Sequence, residues 1–200
     1  AHVASKGAID IIRQYKAKGV NVTSEVTVHH LTLTDEACAT YNPATRVAPP
    51  LRSWDHVQAM REAVLDGTVD AIVTDHAPHA PEEKDVEFRY APCGFCGLET
   101  SLGVMLTDLY HTNIFDLKTI ISKMSCEPSK LFKLNRGTLA EGAVADIAII
   151  DLNKEWTVDS SKFYTRGKFT PYEGKECKGK AVATMLAGKF VMRDGVVCAK

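Results

Sequence analysis

Residues 69–75, VDAIVTD, form a short apolar run that ends in an acid and is followed at once by HAPHAPEEK. Apolar at Val69, Ala71, Ile72 and Val73, the run predicts a strand covered on both faces, the pattern of a parallel sheet rather than of a half-solvated antiparallel one. A core strand that needed only to stop could do so on Gly, Asn or Ser. This one ends on Asp75, His76 and His79, three groups able to ligate a metal or move a proton.

The segments around it alternate in period. Ala8, Ile9, Ile11, Ile12 and Tyr15 share one helical face, with Gly19 placed for a C-terminal cap. VNVTSEVTV then predicts a strand running to His29 and His30. TYNPATRVAPPLRS carries three prolines and is expected to be irregular. Ser53 suits the N-cap of a helix with Val57, Met60, Val64 and Leu65 on one face and Gly67 at its end. Helices are expected over about 98–110, 116–124 and 128–132. From Asn135 the chain turns to strand-like runs punctuated by glycine and by the turn dipeptide Asp194-Gly195. The implied fold class is α/β. Residues 1–134 read as the C-terminal part of a TIM-like (β/α)8 barrel and residues 135–200 as a small β-rich domain. A complete barrel needs about 250 residues, so the missing strands are expected upstream and the chain is expected to be a fragment.

Composition removes several classes of function. A formal net charge of -1, with Lys and Arg scattered, argues against nucleic acid or a polybasic membrane surface as partner. The sequence has neither a long apolar span nor a leader-like N-terminal pattern. Six cysteines, at 38, 93, 96, 126, 177 and 198, follow no disulfide spacing and read as reduced thiols of a cytoplasmic protein.

In a parallel barrel the residues at strand ends carry the chemistry, and His2, His29-His30 and Asp75 all fall there. Imidazole with carboxylate suits zinc, whose catalytic sites keep a position open for water. Asp75 is the choice for metal ligand and proton carrier. His79, beyond Pro78, is better placed for substrate than for metal. Plainer readings stand beside these. His2 can be a structural strand-end residue, His29-His30 a polar strand exit with one ring turned away from the other, and TDHAPH an Asp-capped turn. His56 and His111 read as structural, and Cys93 and Cys96 lack the second pair a zinc knuckle needs.

HVASKGAIDIIRQYKAKGVNVTSEVTVHHLTLTDE, RVAPPLRS, DGTVDAIVTDHAPHAPEEK, APCGFCGLETSL and TPYEGKECKG together resemble the C-terminal half of class I dihydroorotases of the amidohydrolase superfamily. The resemblance implies an enzyme, with one or two zinc ions, that interconverts N-carbamoyl-L-aspartate and L-dihydroorotate in pyrimidine synthesis. It implies His2 and Asp75 as zinc ligands, Asp75 also as catalytic proton shuttle, His79 on the substrate carboxylate, and Cys93 with Gly94 as a backbone contact to substrate. It also implies that residues 135–200 belong to a composite β-sandwich beside the barrel. Where the family often has a substrate-contacting Asn, this chain has Ala48, a loss of about 1 kcal/mol for one neutral hydrogen bond. Val28 stands in place of the family's Pro and Ala4 in place of its Ser. With His2 and Asp75 as its only ligands, the stretch alone is expected to hold zinc weakly and turn over no dihydroorotate. The resemblance admits a homodimer and an aspartate transcarbamoylase as partners. Two alternatives remain: an allantoinase or hydantoinase type of cyclic amidase, and an inactive homologue that scaffolds a transcarbamoylase.

Overall fold

The computed structural model describes residues 1–198, so the last two residues of the expected β-rich stretch lie outside the described residues. The chain forms two compact units, one of residues 1–101 with 157–175 and one of residues 102–156 with 176 onward.

In the first unit, helix α1 (Lys6–Ala17) ends where Gly19, at φ 79°, donates its N–H to the Lys16 carbonyl. This is the left-handed cap a residue without Cβ takes most easily. Strand β1 is only Glu25–Thr27, shorter than the β-branched run predicts, because its partner β2 (Ala71–Val73) offers a ladder only opposite those residues. The pair is parallel, with Glu25 opposite Ala71 and Thr27 opposite Val73. A parallel pair needs a long crossover, and α3 (Trp54–Leu65) lies within it. Val57, Met60 and Val64 are buried as the spacing predicts, whereas Leu65 is exposed. Together with Ile9, Val26, Leu31, Val69 and Ile72 they make the core of this unit.

His29 and His30 do not end a strand. They sit in a single helical turn, α2 (Val28–Thr32), started by Thr27, whose hydroxyl accepts the His30 N–H at 3.2 Å. The alternation that would send the two rings to opposite faces is therefore absent, and their centroids lie 4.4 Å apart.

The second unit holds a four-stranded sheet in the order β3 (Ile147–Thr157), β4 (Glu176–Leu186), β5 (Lys189–Arg193), β6 (Val196–Val197). Asp194 and Gly195, at φ 49° and 79°, form the expected β5–β6 hairpin turn. The helix expected from residue 98 begins at Ser101, after a turn over residues 98–100 in which the Leu98 N–H donates to His76 Nδ1. The two helices expected over 116–132 run together through a π-helical turn, Ser122–Cys126. Pro128 has no N–H to give the Met124 carbonyl, and a wider turn at that place accommodates the gap. Among the described residues no helix is long and apolar enough to cross a membrane.

Asp70 fixes the start of the parallel pair. Its carboxylate accepts the buried Ser24 N–H at 2.8 Å and the Lys16 ammonium at 2.6 Å, while its own N–H donates to the Ser24 carbonyl. Asp70→Ala strands the Ser24 N–H and should destabilise the fold by about 2 kcal/mol, read as a lower urea midpoint with an unchanged slope.

Candidate active site

The parallel register determines which groups meet. Val3 N–H donates to the Glu25 carbonyl at 2.9 Å, which lays residues 2–3 against the start of β1, and the His2 N–H donates to Glu25 Oε1. Asp75 leaves β2 two residues after its last ladder position. Both His2 and Asp75 take left-handed backbone angles, φ 51° and 50°. For residues with a Cβ that conformation persists where the surroundings enforce it.

The two side chains converge. His2 Nε2 lies 3.6 Å from Asp75 Oδ1, and on the other edge of the ring Nδ1 lies 2.9 Å from Glu25 Oε1. The Nδ1 contact is within ion-pair range but out of line for a hydrogen bond. A carboxylate beside Nδ1 favours the proton there and leaves the Nε2 lone pair facing Asp75. Two ligand atoms on a tetrahedral zinc at about 2.1 Å stand about 3.4 Å apart, so the spacing of this pair fits two corners of such a site. Among the described residues no third His, Cys, Asp or Glu joins them in a cluster able to hold a metal. Burial pushes the Asp75 carboxyl above the ordinary carboxylate range; the imidazole of His2 opposes this and the charge of Glu25 adds to it.

His30 is structural. Its Nδ1 meets the Thr27 hydroxyl at 2.7 Å and its Nε2 meets the Pro49 carbonyl at 3.1 Å, which requires the proton on Nε2 and ties α2 to the turn at the cis Ala48-Pro49 bond. His29 differs: it is 1% exposed, and neither ring nitrogen has a hydrogen-bond partner among the described residues. Burial, with His30 and His2 beside it, pushes its pKa down to about 2, so it is a neutral imidazole edge-on to Phe95.

His79, Cys93 and Gly94 also come together. His79 Nε2 lies 3.0 Å from the Cys93 carbonyl and Nδ1 lies 3.7 Å from Glu83. Donation from Nε2 to that carbonyl leaves Nδ1 on the side of Glu83. Gly94 donates its N–H to the Arg46 carbonyl at 2.9 Å. At φ 117°, a Cβ on Gly94 would sit 2.5 Å from the Ala77 Cβ, so only glycine lets this segment lie on the strand-end loop. Ala77 N–H in turn bonds the Phe95 carbonyl at 3.0 Å. Ala48 is exposed at its cis bond. Sequence reasoning missed Glu25, Arg46 and Lys84. Glu25 could have been noticed as an acid inside a β-branched run, whereas Lys84, in PEEK, carried only the pattern of a solvated charged turn.

The profile described as the amidohydrolase family matches residues 2–191. A dihydroorotase of Syntrophus aciditrophicus (strain SB) is 48% identical over 194 residues, which are 97% of this chain and 45% of that protein. A dihydroorotase of Pelotomaculum thermopropionicum is 46% identical over 197 residues, which are 98% of this chain and 46% of the relative. Among solved structures, L-hydantoinase (dihydropyrimidinase) from Arthrobacter aurescens matches with a TM-score of 0.94 at 32% identity, covering 100% of this chain and 45% of that one. The chain thus spans a little under half the length of the relatives it matches. A profile match running through nearly every described element, with the strand-end His2 and Asp75 facing each other inside it, shows that the chain belongs to the amidohydrolase family.

Proposed function

We propose that this chain is the C-terminal portion of a zinc-dependent dihydroorotase, which hydrolyses and re-forms the ring amide of L-dihydroorotate. The observation that carries the reading is the approach of His2 Nε2 to Asp75 Oδ1 at 3.6 Å with Glu25 behind the ring. The choice of substrate rests on identity: 48% to a protein named dihydroorotase against 32% to the L-hydantoinase. The parallel β1–β2 pair with reactive residues beyond the strand ends supports assigning residues 1–134 to a TIM-like barrel, and the sheet after residue 146 supports a β-rich composite domain over residues 135–200. The same reading makes the protein a cytoplasmic enzyme with a small-molecule substrate, and admits a homodimer or a transcarbamoylase partner.

When bound between His2 and Asp75, zinc supplies Lewis acidity to the ring amide carbonyl and acidifies a water. The chain's own groups do the rest. In the hydrolytic direction Asp75 takes the proton of the attacking water and delivers it to the departing ring nitrogen as the C–N bond breaks. Glu25 keeps the His2 ring turned with Nε2 toward the metal. His79 and the Cys93–Gly94 segment, whose Cys93 carbonyl meets His79 and whose Gly94 N–H is held by the Arg46 carbonyl, flank the substrate. The Arthrobacter aurescens match favours a second reading, a hydantoinase-type cyclic amidase acting on a ring without the carboxylate.

In the whole protein containing these residues, Asp75→Asn should lower kcat for dihydroorotate by at least about 100-fold with the fold intact. A whole protein that turns over hydantoin faster than dihydroorotate would replace this reading with the second. Glu25→Ala should weaken zinc retention by about 10- to 100-fold in chelator competition, a measurement independent of substrate.

A further inference from the structure

Lys84 closes the short helix α4 (Pro81–Lys84) and is 0% exposed, although its PEEK context looks fully solvated. Its ammonium donates to the Pro92 carbonyl at 2.7 Å, and among the described residues no carboxylate lies within ion-pair distance of it. The charged and titratable groups around it are the Arg46 guanidinium and the Cys93 and Cys96 thiols. Burial drives its pKa down to about 8. An ammonium buried with one carbonyl and no counter-ion is an expensive way to fill space that a methionine would fill.

What the cation touches accounts for its presence. Arg46 Nη1 donates to the carbonyls of Phe88 at 3.1 Å, Arg89 at 2.7 Å and Ala91. Lys84 takes the next carbonyl along, that of Pro92. The Arg46 carbonyl receives Gly94 N–H, and His79 meets the carbonyl of Cys93. Two cations thus hold the carbonyls of Phe88, Arg89, Ala91 and Pro92, leading up to the Cys93–Gly94 segment, and the clamp leaves an uncompensated positive charge one residue from it.

We propose that Lys84, with Arg46, is a positioning residue that sets the Cys93–Gly94 backbone and biases it toward a substrate bearing a carboxylate. The proposal rests on the dihydroorotase reading for its substrate. The clamp itself is tested separately from that reading.

The test uses the whole protein carrying Lys84→Met, Lys84→Arg or Arg46→Met, with thermal melts to establish folding. Lys84→Met should raise KM for dihydroorotate at least tenfold while kcat changes less than threefold, and Lys84→Arg should recover most of that loss. Hydrogen exchange of the amides of Ala91, Cys93 and Gly94 should quicken in Lys84→Met and stay near the parent rate in Lys84→Arg. If Lys84→Met does not fold, Arg46→Met carries the same two expectations. Unchanged KM, or a fall confined to kcat, overturns the carboxylate bias, and unchanged exchange overturns the clamp. A parent protein with no dihydroorotate turnover defeats the dihydroorotase reading and the carboxylate bias together, and the exchange rates then decide the clamp alone.

Discussion

Glu25 is the residue through which strand pairing becomes a site. Its backbone stands opposite Ala71 in the parallel ladder, its carbonyl accepts Val3 N–H, and its carboxylate accepts the His2 N–H while facing the His2 ring. A one-residue slip of the ladder would turn that carboxylate to the opposite face. The same register, read on β2, determines where Asp75 emerges. The spacing of His2 and Asp75 is therefore set by main-chain hydrogen bonds and by Asp70, which ties Ser24 and Lys16 to the start of β2, more than by any preference of the side chains for each other.

The loop over residues 88–96 has a different logic. Residues 88–96 have little regular structure, and an irregular segment near a site must place its carbonyls and amides one by one. Here Arg46, Lys84, His79 and Ala77 take them up in turn, and Gly94 supplies the close approach that a Cβ would forbid. The outcome is a hydrogen-bonded backbone edge made from a loop, joined to the strand-end loop by the Ala77 N–H to Phe95 carbonyl bond. Buried His29 and His30 lie behind, neutral because burial removes the water that would stabilise an imidazolium, so the His2 site is not faced by two extra positive charges.

Much of this was legible in advance, and the reasons differ by residue. Ala71–Val73 could be identified as a strand because a short apolar run ending in Asp has few other uses, and α1 and α3 as helices from their apolar spacing and flanking glycines, although on the face expected for α1 Ile9 is buried while Ile11 and Tyr15 are exposed. That His2 and Asp75 lie at the starts and ends of strands was legible from the same pattern, and the structure brings their side chains to 3.6 Å. The strand expected through Val28 failed because β propensity is realised only where a partner strand exists, and the Thr27 hydroxyl captured the following N–H instead. Leu65 was placed on the buried face by period alone, and the helix end turned it outward.

By itself, the sequence determined local matters: which segments can be helix or strand, where glycine ends them, and which side chains could bind a metal or carry a proton. Spacing along the chain carries that information because backbone periodicity and side-chain chemistry are local properties. Only the tertiary structure decided that Glu25 backs His2, that His29 is left without a partner among the described residues, and that Lys84 is buried against Pro92 with Arg46 nearby. Those pairings join residues 8 to 38 positions apart, and they follow from a three-residue parallel register and from carbonyls needing donors, neither of which leaves a pattern in the letters.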